Sequence, residues 1–301
     1  ALVSLADARA NAFQADMSDR PPPPEQPGVH VFADWDLADL AACIDWTPFF
    51  RAWELAGNYP AILTDPVVGE SASALWADAQ AMLKQIIEQK WFTARGVAGL
   101  WPCRREGDDV ILHQPLTEAA TLHVSSHAAQ DEARALDISA HGEGDFNHVR
   151  LPFLRQQIAK REGRANMCLA DFISHDGDWI GGFAVGIHGL EPHLERFRAD
   201  KDDYSDILTK ALADRLAEAF AERLHQHIRT TLWGYAPGEQ LTNEALIKED
   251  YRGIRPAPGY PACPEHSLKA ILFDLLDAPA NAGLTLTENF AMLPTAAVSG
   301  F

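Results

Sequence analysis

The stretch that most restricts how this chain can fold is RGIRPAPGYPACPEH, Arg252 to His266, with four prolines in fifteen residues. Each proline ring removes a backbone N–H donor and fixes φ, so neither a helix nor a central strand can run through it. Ile254, Tyr260 and Cys263 are side chains fit for burial, which a flexible linker would not normally carry. The segment therefore reads as a stiff, extended strip that keeps its carbonyl groups free and costs little entropy to hold in shape. Gly259 would let a ligand approach the backbone closely. Arg255 offers a planar fork that suits a carboxylate. A rigid structural connector is the alternative reading.

Around the strip the periodicities separate cleanly. Leu37, Leu40, Ala41 and Ile44 fall at helix spacing, and "DWTPFFRAWELAG" begins another helix, with Thr47 as N-cap, Pro48 in the first turn and Gly57 as stop. Asp45 then lies in the joint between the two, near the positive end of the second helix. Residues 70–90 make a further helix, and the longest is expected from Asp203 to Leu232. Its apolar stripe comprises Ile207, Leu208, Ala211, Leu212, Leu216, Ala219, Phe220 and Leu224. Short helices are expected at 243–250, in "SLKAILFDLLD" and around "LPFLRQQIAKR". Two hairpins are expected: "GVAGLWPC" with "VILH", and "MCLADFIS" with "WIGGFAVGI". Residues 114–149 between them are polar and irregular. Hairpins with helices segregated around them give an α+β fold.

With 43 acidic against 25 basic residues the formal charge is −18, which argues against nucleic acid or an anionic membrane as partner. No apolar run is long enough to span a bilayer. Cys43, Cys103, Cys168 and Cys263 are scattered without a C-x-x-C pair, as expected of reduced thiols in a cytoplasmic protein. Residues 1–30 end in "RPPPPEQPG" and read as a proline-rich interdomain linker, leaving 31–301 as the folded domain.

Several constellations carry candidate chemistry. The glycines of "GDWIGGFAVGIHG" fit neither a dinucleotide nor a phosphate loop, and read as close-packed strand positions. His123, His127, His141 and His148 leave a metal site open against a plain surface loop, and Cys263 with His266 has metal-like spacing but lacks a second pair. Glu218 lies on the edge of the long helix's apolar stripe. Glu249 ends a short helix, where the macrodipole disfavours a carboxylate, so it calls for a cationic partner unless it is ordinary surface charge.

"RPAPGYPACPEH", taken with "DWTPFF", "AGNYPAIL", "ALADRLAEAFAERLH", "WGYAP" and "ENFAM", resembles the activation domain of cobalamin-dependent methionine synthase over residues 34–301. The R-x-x-x-G-Y signature stands here as Arg255, Gly259 and Tyr260. The resemblance implies a C-shaped single α+β domain, with a bent antiparallel sheet flanked by helices, that binds S-adenosylmethionine in a shallow groove. It implies that Asp45 holds the ligand's ammonium and Arg255 its carboxylate. Ala257, Gly259 and Tyr260 would wall the adenosine, with Glu218 and Glu249 as acidic neighbours. It further implies a role in reductive remethylation of oxidised cobalamin, with the cobalamin on another module of the same protein and zinc on yet another. A flavodoxin-like reductase would supply the electron, and the isolated domain would be inactive. The family continues past "AAVSGF" into an aromatic segment with two tyrosines, so the domain is expected to be C-terminally short, with one wall of the adenosine pocket absent. Two other readings stay open: an interaction module that no longer binds the ligand, and a free-standing metal-dependent hydrolase built on the histidines.

Overall fold

The computed structural model describes residues 1–115, 121–124 and 146–301. In chain order the elements are α1 (Leu5–Ala10), β1 (Gly28–Trp35), α2 (Leu37–Ala41), α3 (Thr47–Ala52), α4 (Gly69–Glu88), β2 (Thr93–Glu106), β3 (Asp109–Pro115), β4 (Thr121–Val124) and β5 (Phe146–Pro152). They continue with β6 (Asp178–His188), α5 (Glu191–Ala199), α6 (Asp203–His227), α7 (Asn243–Ile247), α8 (Leu268–Leu276), α9 (Ala278–Ala282), β7 (Thr285–Leu286), β8 (Met292–Leu293) and β9 (Ala297–Gly300).

Strand β2 is the hub of the sheet. One edge pairs with β1 along its first half and with β3 beyond it, while β6 covers the other edge from Thr93 to Cys103. All pairings are antiparallel except β1 with β4, which run parallel. Side chains alternate across the sheet with a period of two. On β2, Ala94, Ala98 and Leu100 enter a core shared with α2, α3, α4 and α6, while Val97, Trp101 and Cys103 enter a second core under α8 and α9. The fold is thus α+β, a sheet with a separate helical layer on each face.

Gly182 and Gly186 of β6 sit where α8 and the chain just after α9 come closest. A Cβ at Gly182 would lie 2.6 Å from Leu272 Cδ1, and one at Gly186 2.5 Å from Leu284 Cδ2. The close-packing expectation for this segment therefore holds. Helix α6 runs as expected and continues into a π-helical turn at Ile228–Leu232. Its stripe is buried apart from Ile207, which is exposed, and Ala211, which is half-buried.

Several local expectations need correction: α3 stops at Ala52 rather than at Gly57, and residues 114–149, expected to be irregular, supply β4 and the first part of β5. Residues 151–161 form no helix, and α-helical periodicity is the wrong reading there. Leu151, Phe153 and Arg155 are buried while Pro152 and Leu154 are exposed, which is extended alternation. "MCLADFIS" is not a strand: Leu169–Phe172 is a 3-10 turn, because Asp171 folds back to accept the Cys168 N–H at 2.9 Å. Thr47 does not cap α3; it is the first helical residue, and Asp45 Oδ1 accepts its N–H at 3.0 Å.

The first 27 residues lie along the body. Val3 N donates to Gln157 O, Asn166 N to Asn11 O, and Gln26 N to Leu232 O. Arg9 pairs with Asp108 in the β2–β3 turn.

Candidate ligand site on the proline strip

Residues 252–266 form neither helix nor strand, apart from one isolated bridge between Tyr260 and Cys263. The strip closes on itself through Gly259 N to Cys263 O (2.7 Å) and Cys263 N to Tyr260 O (2.9 Å). It is fastened to the body where Phe301 N donates to Pro256 O and the Tyr235 hydroxyl donates to Arg252 O. Of the three side chains that looked fit for burial only Cys263 is buried; Ile254 and Tyr260 face outward, 50% and 64% exposed. Gly259 is required, with φ +104 and the His266 ring 2.2 Å from where a Cβ would stand. The close approach at Gly259 is thus made by His266.

Arg255 meets α6. Its Nη2 donates to Glu222 Oε2 at 3.1 Å, and this ion pair is largely buried. Arg255 Nε and Glu222 Oε1 are both buried and lack a partner among the described residues. Burial pushes the Glu222 carboxyl above its ordinary range, opposed by Arg255 and Arg229 and helped by the neighbouring Glu249. Two turns further on, in the π-helical turn that follows α6, Arg229 is fully buried. It is gripped by both oxygens of Glu239 at 2.9 and 2.7 Å, donates to His225 Nδ1 at 2.8 Å, and stacks 3.9 Å from the Tyr251 ring centre. Burial and the adjoining guanidinium hold His225 well below the usual histidine range, so it stays neutral and accepts. The Arg229 grip fixes the end of the helix that presents Glu222.

The other expected residues are placed as follows. Glu218 is exposed on α6, one turn before Glu222. Glu249 follows α7 in the left-handed region at φ +57, with Glu249 N bonded to Leu246 O and Asp250 N to Ala245 O. Glycine is the usual residue there, and a glutamate costs about 1 kcal/mol or more. The Asp45 joint is tied to the start of α7 by Asn243 Nδ2 donating to Ile44 O at 3.1 Å. Beside the strip lies a cavity of about 390 Å³ walled by Phe153, Trp179, Phe183 and Phe301. Arg255 and Pro256 line it, whereas Asp45, Glu218, Glu249, Ala257, Gly259 and Tyr260 do not.

Sequence reasoning missed Glu222, His225, Arg229 and Tyr251. The available signal was Glu222 one turn after Glu218 and flanked by Ala219, Phe220, Ala221 and Leu224, a carboxylate inside an apolar stretch. Among the described residues no cluster of His, Cys, Asp or Glu could hold a metal. His127 and His141 lie outside the described residues, as does the side chain of His123; His148 is exposed on β5. Among the described residues no helix is long and apolar enough to cross a membrane.

A guanidinium on the strip with an unpaired Nε, paired to the Glu222 carboxylate, suits a ligand that carries a carboxylate, and likeness to known proteins points the same way. The family described as "Vitamin B12 dependent methionine synthase, activation domain" matches residues 36–301. The chain belongs to this family. The crystal structure of the MetH reactivation domain bound to AdoHcy is similar over 99% of this chain and 85% of its own, at 45% sequence identity and a TM-score of 0.83. The methionine synthase activation domain therefore has the α+β architecture described above.

Proposed function

We propose that this chain binds S-adenosylmethionine on the proline strip and presents its methyl group to a cobalamin carried by another module of the same methionine synthase. The observation that carries the reading is Arg255, held by one bond and keeping a buried, unpaired Nε donor. The solved relative with AdoHcy, the demethylated counterpart of that ligand, supports the ligand class. Arg255 takes the carboxylate, and Asp45 takes the ammonium while its Oδ1 still caps α3. Glu218 and Glu249 supply negative potential for the ligand's cationic groups. Ala257, Gly259 and Tyr260 provide backbone and an aromatic wall for the adenosine.

The chain's own residues bind, orient and neutralise; positioning is their contribution and no general acid or base is called for. Cobalamin, when bound on its own module, supplies the nucleophilic metal that receives the methyl group. Residues 1–27, which lie along the body, lead towards upstream modules, including one that holds zinc. A flavodoxin-like reductase supplies the electron, and the setting is cytoplasmic amino-acid biosynthesis.

Calorimetric titration with S-adenosylmethionine and its decarboxylated form tests the reading. Wild type is expected to prefer the former by at least ~1.5 kcal/mol, the lower range for a hydrogen bond to a charged group. Arg255→Lys keeps the charge but loses the fork, and much of the preference with it. No binding of either compound at millimolar concentration overturns the proposal. The isolated chain should also make no methionine from homocysteine and free methylcobalamin.

A further inference from the structure

Arg255 stands on a strip without regular secondary structure, yet a carboxylate-binding fork must be aimed to within tenths of an ångström to be selective. Its own element cannot aim it. The strip is fastened by backbone at Pro256, while the guanidinium lies on α6, where its described bond goes to Glu222 Oε2. Glu222 is in turn rigid. It is 9% exposed, on a helix that runs two turns on into the π-helical turn whose Arg229 is clamped by Glu239.

The bond pattern is unusual for an ion pair built only for stability. A carboxylate and a guanidinium normally meet through two parallel bonds. This pair uses one, and each partner keeps a buried atom unpaired, Arg255 Nε and Glu222 Oε1. Leaving such atoms unpaired costs free energy, so a single bond is a poor way to stabilise a fold. It is a good way to fix the rotation of a guanidinium while leaving its other donors for an incoming anion.

We infer that Glu222 is a positioning residue, which orients the Arg255 guanidinium for the ligand's carboxylate and thereby sets the preference for carboxylate-bearing over decarboxylated ligand. This rests on the functional reading above. Glu222 contacts no ligand atom in this scheme. Its carboxylate also cancels the charge of Arg255, so a bare inorganic anion finds a nearly neutral pair and gains little there. Only a ligand also held along the strip, with its carboxylate delivered at the Nε side, profits from the remaining donors.

The experiment measures affinity for S-adenosylmethionine and for its decarboxylated form in wild type, Glu222→Ala, Glu222→Met and Glu222→Gln. Methionine fills the volume without an acceptor, so it serves if the alanine variant does not fold. Glutamine keeps an oxygen that can accept from Nη2. Wild type should show at least about a tenfold preference, the lower range for a charge-assisted hydrogen bond. The Ala and Met variants should fall below about threefold, chiefly by weaker binding of the carboxylate-bearing compound, and Gln should restore most of the ratio. An unchanged ratio in Ala and Met, or tighter binding of S-adenosylmethionine by them, overturns the inference while leaving the functional reading intact. A Gln variant as unselective as Ala also overturns it. A wild type that binds neither compound overturns the functional reading and this inference together.

Discussion

Two arginines in this molecule, Arg155 buried and Arg255 half-buried, have opposite surroundings. Arg155 uses its whole fork: Nε and Nη2 donate to Asp108, Nη1 donates to Asn166 O, and both terminal nitrogens donate to Asp171 at 2.9 and 2.6 Å. Asp171 also accepts from Arg105 and from the Cys168 N–H. Arg255 makes one bond and keeps Nε unpaired. Both sit outside regular helix or strand, and both meet a buried carboxylate. The difference is satisfaction. A saturated guanidinium ties chain segments together, here the β2–β3 turn, the 3-10 turn and, through Asp108 and Arg9, the N-terminal segment. An unsaturated one is left with something to give a ligand. Breaking the first should therefore unfold, and breaking the second should unbind.

The largest expected effect comes from Asp171→Ala. It leaves buried Arg155 with Asp108 as its remaining counter-charge and takes away the carboxylate that Arg105 meets, at a cost of about 3 kcal/mol, the lower end for breaking a buried pair. Urea denaturation would read this as a lower midpoint with an unchanged slope, and any protein still folded should bind ligand normally. A loss below about 1 kcal/mol, the level of a surface pair, would mean that the Arg155 network is not structural.

Asp45→Asn should behave the other way. Asparagine caps a helix as well as aspartate does, so the bond to the Thr47 N–H survives and stability barely moves. Losing the negative charge should weaken S-adenosylmethionine binding by about 1.5–3 kcal/mol. An unchanged titration curve would remove Asp45 from the site.

These two networks also differ in how legible they were. The β2–β3 hairpin and α6 could be read directly, because local alternation and helix spacing agree with the tertiary packing. The segments at 151–155 and 168–172 could not, because a distant charge pair decides them. Arg155 is drawn inward by Asp108 and Asp171, and the same Asp171 folds "MCLADFIS" into a turn. Even so, Pro152 and the alternation of Leu151, Phe153 and Arg155 were visible hints of extended chain. At the proposed site, the strip, Glu218 and Glu249 stood out from the residues themselves, and the motif resemblance gave them and Asp45 their proposed roles. Glu222 needed three dimensions, since nothing in a helix says which carboxylate a proline strip will lean upon.

The smallest effect concerns acid. Burial holds His225 and His30 below the usual histidine range and His227 down at about 4. Below pH 6.5 the unfolded chain takes up protons that these folded sites refuse, so stability falls as pH drops from about 6.5 towards 4. Glu222 and Asp214, both raised by burial, oppose this by taking their protons earlier in the folded state, but they stand against these three histidines and the likewise lowered His113, His188 and His193. The ion pairs hold Asp108 below the ordinary carboxylate range, so its contribution is lost only at pH values below that of the histidines. Thermal melts from pH 7 to 3 should show a first decline across the histidine window and a second, acidic one. A flat profile down to pH 4 would contradict the neutral, accepting state of His225.

The contrast between the arginines is tested most directly by proton–nitrogen spectra of the arginine side chains during titration with S-adenosylmethionine. Arg255→Lys and Arg155→Lys proteins assign the two Nε–H signals by their disappearance. The account predicts that the Arg255 Nε–H signal moves progressively to saturation as its free donor finds the ligand carboxylate, while the Arg155 signal stays in place. A stationary Arg255 signal in a protein that demonstrably binds the ligand would contradict it.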